Sequence, residues 1–308
     1  MSQLNQCCNR KVAIKVPQVD EYHDLVYSQV KGRWDTQELK MSLLVPRTEQ
    51  LKPAVLYLPG GGFTEANLHK LIQLKLVLAE AGVVVASATY RTIPSNLSAM
   101  VTDAKQALAY LYQQAAVYRI DPNKIAVIGD SAGGYLAQLL GTISQTPAIS
   151  QTQVQSKQNQ VAAVVSLYGF SNLLLMGADP KRPEFDPAAP TMLMLNGVSL
   201  APQKPLMPAE ITERARQASP LFKLHSGIPP FLLMHGDADQ LVPLAQTKAM
   251  ATAMRQAGLD AEEIILAGAG HGTAEWYQPE VAYLIRDWLL EKLDWDSGPL
   301  DLKQQTTL

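Results

Sequence analysis

The sequence predicts an α/β chain with a mostly parallel, doubly wound sheet and an inserted cap region. Three observations predict it. From Pro53 onward, continuous apolar runs of strand length alternate with stretches of helical periodicity, the pattern of strands covered by helices on both faces. One run, Ile125-Ala126-Val127-Ile128, passes through Gly129-Asp130-Ser131-Ala132-Gly133 straight into a helix-compatible segment. Residues 170–226 then break the alternation with eight prolines between Pro180 and Pro220, an excursion too long for a plain connection. We therefore expect a flexible lead-in over 1–20, one domain over 21–295 with its cap or lid at 170–226, and a tail over 296–308.

Each element follows from local pattern. Residues 22–30 and 38–45 have strand content, the second alternating Leu39, Met41 and Leu43 with Lys40 and Ser42, and Gly32-Arg33-Trp34-Asp35 reads as the turn of an antiparallel edge hairpin. Ala54-Val55-Leu56-Tyr57-Leu58 is a buried strand ending in Pro59-Gly60-Gly61-Gly62-Phe63. Asn67 is expected to cap a helix running through Ala81, with Leu68, Leu71, Ile72, Leu76 and Leu78 as its apolar face and Gly82 closing it. Val83-Val84-Val85-Ala86 is the next strand, and 98–117 a helix with Val101, Ala104, Leu108 and Leu111 inward. Asp121-Pro122-Asn123 turns the chain into the Ile125 run.

Beyond the glycine–serine stretch, the Gln/Ser/Thr-rich 144–160 reads as an exposed loop, and 161–167 as another buried strand. The Met/Leu-rich stretch from Met192 to Met207 gives the 170–226 segment apolar content suited to packing over something. Residues 231–234 resume the sheet. A helix is expected over 243–258, a last strand over 262–266 and a last helix over 274–293.

Bulk properties exclude several classes. The 308 residues are 47% apolar and 18% charged with a formal net charge of −2, which is globular and lacks the basic surface that nucleic acids need. Five scattered histidines form no metal-ligand spacing, so no metal and no cofactor are expected. Cys7 and Cys8, adjacent and near the N-terminus, exclude a disulfide framework. No 18-residue apolar run occurs, so no membrane span is expected. The default is a cytoplasmic protein; an exported one with its signal removed would read alike, and a homo-oligomer stays open.

In such sheets chemistry gathers at the carboxyl ends of strands. Four motifs sit there: Gly60-Gly61-Gly62, the Ser131 stretch, His235-Gly236-Asp237-Ala238-Asp239-Gln240-Leu241-Val242-Pro243, and Gly268-Ala269-Gly270-His271-Gly272. Gly-x-Ser-x-Gly between a strand and a helix is a nucleophile elbow. By chance it arises on the order of 0.1 times in such a chain, so the other motifs must carry the assignment. A glycine run can form a phosphate cradle, but the Gly-x-x-x-x-Gly-Lys-Ser/Thr pattern is absent.

Together with Tyr90-Arg91 and Pro94, these motifs resemble the α/β-hydrolases, and in detail esterases of the hormone-sensitive-lipase and feruloyl-esterase-like (BD-FAE-like) branches. The resemblance covers about residues 50–292 and implies an α/β-hydrolase fold with Ser131 as nucleophile, His271 as base and Asp239 as acid. The family spacing before Val242-Pro243 selects Asp239 over Asp237, which is expected to cap the loop. A serine hydroxyl needs an adjacent imidazole to take its proton, and the imidazole needs an acid to hold its tautomer. For the oxyanion hole, Ala132 N–H follows the nucleophile; the resemblance adds Gly61 and Gly62. Each such donor is worth roughly 2.7–4 kcal/mol of barrier. Where the family usually has histidine and tryptophan, this chain has Pro59 and Phe63, and proline is expected to stiffen the loop that the histidine braces. Asp130 reads as filler at the elbow, and His235 as a structural strand-end residue. His23, His69 and His225 read as surface or core, and Arg91 with Asp103 as a buried ion pair near the glycine loop.

The expected activity is that of a serine carboxylesterase acting on a small ester through an acyl-enzyme. The alternatives are an acetyl or feruloyl esterase on acylated polysaccharide, a formamidase, and a non-catalytic binding protein that keeps the fold.

Overall fold

The computed structural model describes residues 11–32, 34–143, 160–177, 189–198 and 208–296. Cys7, Cys8 and Arg33, residues 144–159 of the loop expected over 144–160, most of the proline-rich stretch and the tail from 297 lie outside the described residues. Strands β1 (Val19–Lys31) and β2 (Thr36–Pro46) pair antiparallel. They are followed by β3 (Lys52–Leu58), α1 (Ile72–Glu80), β4 (Val84–Ala88), α2 (Leu97–Gln113), a short α3 (Ala115–Tyr118), β5 (Ile120–Asp130) and α4 (Ala132–Ile143). Then come β6 (Val164–Leu167), α5 (Pro190–Asn196), α6 (Pro208–Ala218), β7 (Phe231–Gly236), α7 (Ala245–Gln256), β8 (Ala261–Leu266) and α8 (Pro279–Lys292).

The apolar runs form the middle of one eight-stranded sheet, ordered β1-β2-β4-β3-β5-β6-β7-β8. The β1–β2 and β2–β4 pairs are antiparallel and every later pair is parallel. All seven residues of β3 are buried. Its alternation feeds two cores: Ala54, Leu56 and Leu58 join one, and Val55 and Tyr57 the other. Residues of α2, α4 and α7 cover the first core, while α1 and α8 cover the second. The parallel strands thus deliver the ends of β3, β5, β7 and β8 to one edge, where the four motifs lie.

Several helix boundaries differ from the pattern-based expectation. Asn67 does not cap α1: its Oδ1 accepts the His69 N–H at 2.9 Å in a local turn. Leu71, left-handed at φ 52°, then redirects the chain. Because the helix starts late, its buried residues are Leu74, Lys75, Leu78 and Ala79, while Ile72 and Leu76 stand exposed. The Lys75 stem packs inward and Nζ reaches the Leu68 carbonyl at 2.5 Å, and burial lowers its pKa to about 8. The expected 98–117 helix breaks at Gln114, where α3 begins. Asp121-Pro122-Asn123 turns the chain within β5: the Asn123 N–H donates to Asp121 Oδ1 at 2.9 Å, and the pairing with β3 is interrupted between Lys52 opposite Ile120 and Ala54 opposite Ile125. The expected 274–293 helix splits into a 3-10 turn (Ala274–Tyr277) and α8. Pro279 forces this, since proline disfavours helical geometry at the residue before it and has no N–H to continue a ladder.

Candidate active site

Ser131 follows the last residue of β5 and precedes α4. Its backbone is left-handed at φ 53°, a conformation that costs a non-glycine residue energy and that the surroundings must impose. The Ser131 N–H donates to the Leu167 carbonyl at 2.8 Å. A Cβ at Gly129 would strike the Gly133 carbonyl, and one at Gly133 would strike the Leu58 carbonyl. The two glycines are therefore required by close backbone approach. Ala132 opens α4, so its N–H is among the first-turn amides with no intrahelical acceptor.

Three sequence-derived residues meet here. Ser131 Oγ lies 2.8 Å from His271 Nε2, and His271 Nδ1 lies 2.7 Å from Asp239 Oδ2. The carboxylate accepts, so Nδ1 carries the proton and the Nε2 lone pair faces the serine hydroxyl. Asp239 Oδ1 accepts the Leu241 and Val242 N–H groups at 2.8 Å each. Burial favours its neutral form, but hydrogen bonds from His235, His271 and the Val242 N–H outweigh that and hold the carboxyl well below the usual range.

His235 does more than end a strand. It is fully buried, and its Nε2 lies 2.9 Å from the Val242 carbonyl and 3.3 Å from Asp239 Oδ2. Nδ1 lies 2.8 Å from Thr247 Oγ1. With the carbonyl fixing Nε2 as donor, the imidazole steadies the Asp239 carboxylate from behind. Asp237 turns away and accepts the Gly268 N–H at 2.6 Å. The His271 ring packs edge-on against Tyr168 at 4.7 Å between centroids, and Tyr168 against Trp276 at 4.6 Å. Trp276 Nε1 donates to the Gly270 carbonyl at 2.9 Å, which ties down the histidine loop. Nothing in the sequence marks Tyr168 or Trp276 for this role, because neither belongs to a motif.

The glycine loop faces Ser131 from the end of β3. A Cβ on Gly60 would lie 2.9 Å from the Ser131 Cβ. Gly62 and Phe63 are both left-handed, at φ 60° and 63°. Phe63 is buried against Tyr135 and Phe170 with centroids 5.9 and 5.8 Å away, so packing anchors the far end of the turn. The Phe63 carbonyl accepts the Ile93 N–H at 2.8 Å. Arg91 forks onto buried Asp103 at 2.6 and 2.8 Å, the ion pair the sequence suggests.

Asp130 is not filler. Its side chain is wholly buried and accepts from Tyr57 Oη and Gly60 N at 2.7 Å, Lys70 Nζ at 2.5 Å and Tyr168 Oη at 3.3 Å. Tyr90 Oη donates to the Pro59 carbonyl at 2.6 Å. Burial first, and then the Asp130 charge, push the Tyr57, Tyr90 and Tyr168 phenols far above their ordinary value, so they remain donors. Of the other histidines, His225 Nε2 lies 3.1 Å from the Thr142 carbonyl, and His23 and His69 are exposed. Among the described residues, no group of three or more His, Cys, Asp or Glu could hold a metal ion, and no helix is long and apolar enough to cross a membrane.

Comparison with known proteins adds family and fold. A family model for BD-FAE matches residues 41–254, a range that includes Ser131 and Asp239 and ends before His271. The esterase LipQ of Mycobacterium tuberculosis is 29% identical over 67% of this chain and 46% of its own length. Isoprenylcysteine alpha-carbonyl methylesterase ICME of Arabidopsis thaliana is 26% identical over 75% of this chain and 53% of its own. The chain thus spans about half the length of these curated relatives. A carbohydrate esterase from gut microbiota superposes with a TM-score of 0.74 at 21% identity, covering 92% of this chain and 99% of that one. The butyrate-bound esterase Est2 of Thermogutta terrifontis gives 0.67 at 24% identity, covering 89% and 94%. The fold is that of the α/β-hydrolases, and the chain belongs to the BD-FAE family.

Proposed function

We propose that this BD-FAE family member is a serine carboxylesterase that hydrolyses small acyl esters through an acyl-enzyme. The observation that carries the reading is the unbroken hydrogen-bonded line from Ser131 Oγ through His271 to Asp239 at 2.8 and 2.7 Å. Ser131 Oγ attacks the acyl carbon as its proton passes to His271 Nε2. Asp239 stabilises the resulting imidazolium through Nδ1–H. The oxyanion is received by the N–H groups of Gly61, Gly62 and Ala132. Collapse breaks the ester C–O bond, and the leaving alcohol takes the proton from Nε2. A water then gives its proton to Nε2 while its oxygen attacks the acyl carbon, releasing the acid and restoring Ser131.

The described parts of 170–226 support a selectivity role for that segment as a cap. Phe170 packs on Phe63 and Tyr135 beside the glycine loop. A second reading, an acetyl or feruloyl esterase on acylated polysaccharide, draws on the family name and on neighbours described as a carbohydrate esterase and an acetyl ester-xyloside bifunctional hydrolase.

The test is turnover of p-nitrophenyl acetate and butyrate by the wild type and Ser131→Ala. Loss of at least about 10⁴-fold in kcat is expected, the scale of removing a nucleophile, and equal rates would end the reading. Acetylated xylan and methyl ferulate beside the simple esters rank the two substrate classes.

A further inference from the structure

A reaction of this kind needs Gly61 N–H aimed at the oxyanion, yet a glycine run has no side chains to aim it. Pro59, at the head of the loop, offers neither an N–H nor a side-chain donor. The bracing therefore comes from elsewhere, and two consecutive peptide planes show how.

The first plane, between Pro59 and Gly60, is held at both ends. Tyr90 Oη donates to the Pro59 carbonyl at 2.6 Å, and the Gly60 N–H donates to Asp130 Oδ1 at 2.7 Å. The second plane runs from the Gly60 carbonyl to the Gly61 N–H. Lys70 Nζ donates to that carbonyl at 3.3 Å and to Asp130 Oδ2 at 2.5 Å. In a trans peptide the C=O and the following N–H point in opposite directions. Fixing the Gly60 carbonyl towards Lys70 thus fixes the Gly61 N–H on the far side, where it has no hydrogen-bond partner among the described residues.

Charge explains why a lysine does this. The Asp130 side chain is fully buried, and a buried carboxylate is tolerable only with a cation and enough donors. Lys70 is that cation, about one-quarter exposed, in the turn before α1. Substitution of Gly60 would crowd Asp130 and Ser131 together.

We propose that Lys70, paired with Asp130, is a positioning residue that aims the Gly61 N–H at the oxyanion. The proposal rests on the esterase reading above. It acts through the backbone, so it affects the tetrahedral state more than substrate binding.

The test is Lys70→Met, which keeps the stem and removes charge and donors. For p-nitrophenyl acetate, kcat is expected to fall about 10- to 100-fold with KM within about threefold, less than the loss of a whole oxyanion donor. Affinity for phenylboronic acid, which forms a tetrahedral adduct on serine, should fall by the same factor as kcat/KM in the protein that remains folded, even as loss of the buried carboxylate's cation lowers the thermal midpoint. Lys70→Arg should recover most of the loss. If Lys70→Met does not fold, Lys70→Gln, which keeps a neutral donor, carries the test with about a 5- to 20-fold loss of kcat expected. Wild-type kcat in the variant that folds, or a kcat loss with boronate affinity unchanged, overturns the positioning role and leaves the esterase reading standing. A wild type no faster than Ser131→Ala overturns the esterase reading, and this proposal with it.

Discussion

On one flank of Ser131 stand His271, 2.8 Å from the serine Oγ, and Asp239, 2.7 Å from His271, side chains brought from two loops. On the other stands a run of three glycines that offers only backbone. The first flank is held largely by side chains, with His235, Tyr168 and Trp276 behind Asp239 and His271. The second is held by a buried carboxylate and the groups donating to it. The contrast teaches that proton transfer depends on which side chains are present, whereas charge stabilisation depends on how peptide planes are turned. Substitutions on the two flanks should therefore fail in different ways.

The largest effect is expected on the side-chain flank. Asp239→Asn can present an amide to His271 Nδ1 and favour the wrong tautomer, so kcat should drop about 10⁴-fold with little change in KM. Initial rates across a range of ester concentrations check it; a tenfold loss would mean that the acid is elsewhere. On the backbone flank, the Cβ of Gly60→Ala would crowd the Asp130 carboxylate at 2.7 Å and the Ser131 Cβ at 2.9 Å. We expect a kcat loss of about 10²-fold, comparable to losing one oxyanion donor, with secondary structure by circular dichroism unchanged. A Gly60→Ala protein with wild-type kcat would show that the loop has slack.

The two flanks were also unequally legible in the sequence. The meeting of Ser131, His271 and Asp239 was legible because a hydroxyl, an imidazole and a carboxylate are residue types, each after its own strand, and the sheet order brings those strand ends to one edge. The glycine pairs in the elbow were legible for a similar reason, since a strained turn excludes side chains. Asp130 was misread as filler because its four partners come from Tyr57, Gly60, Lys70 and Tyr168, up to 73 residues away. No local pattern encodes that convergence. Lys70 was hidden further, because Asn67 looked like a helix cap and would have put Lys70 on a helix face instead of in a turn. His235 looked structural because nothing in its strand shows that Nε2 reaches Asp239. The long helix expected at 274–293 ignored the stop that Pro279 imposes.

The smallest effect concerns stability. The folded-state pKa of Asp239 is depressed, so its ionised form contributes stability that is fully present above its ordinary value of 3.8. That contribution is lost as pH falls below 3.8 towards the depressed value. The stability difference between wild type and Asp239→Asn should therefore be flat from pH 7 to pH 5 and shift against the wild type below pH 4. Urea midpoints at pH 7, 5 and 3 check this, and a difference already changing between pH 7 and 5 would assign the shift to another group.

Both flanks serve one claim, that Ser131 Oγ is an activated nucleophile. Intact-mass spectrometry after brief treatment with a fluorophosphonate, followed by peptide mapping, tests it directly. The account predicts a single adduct on Ser131, lost in Ser131→Ala and formed much more slowly in Asp239→Asn. No adduct, or one that forms equally well in Ser131→Ala, would contradict it.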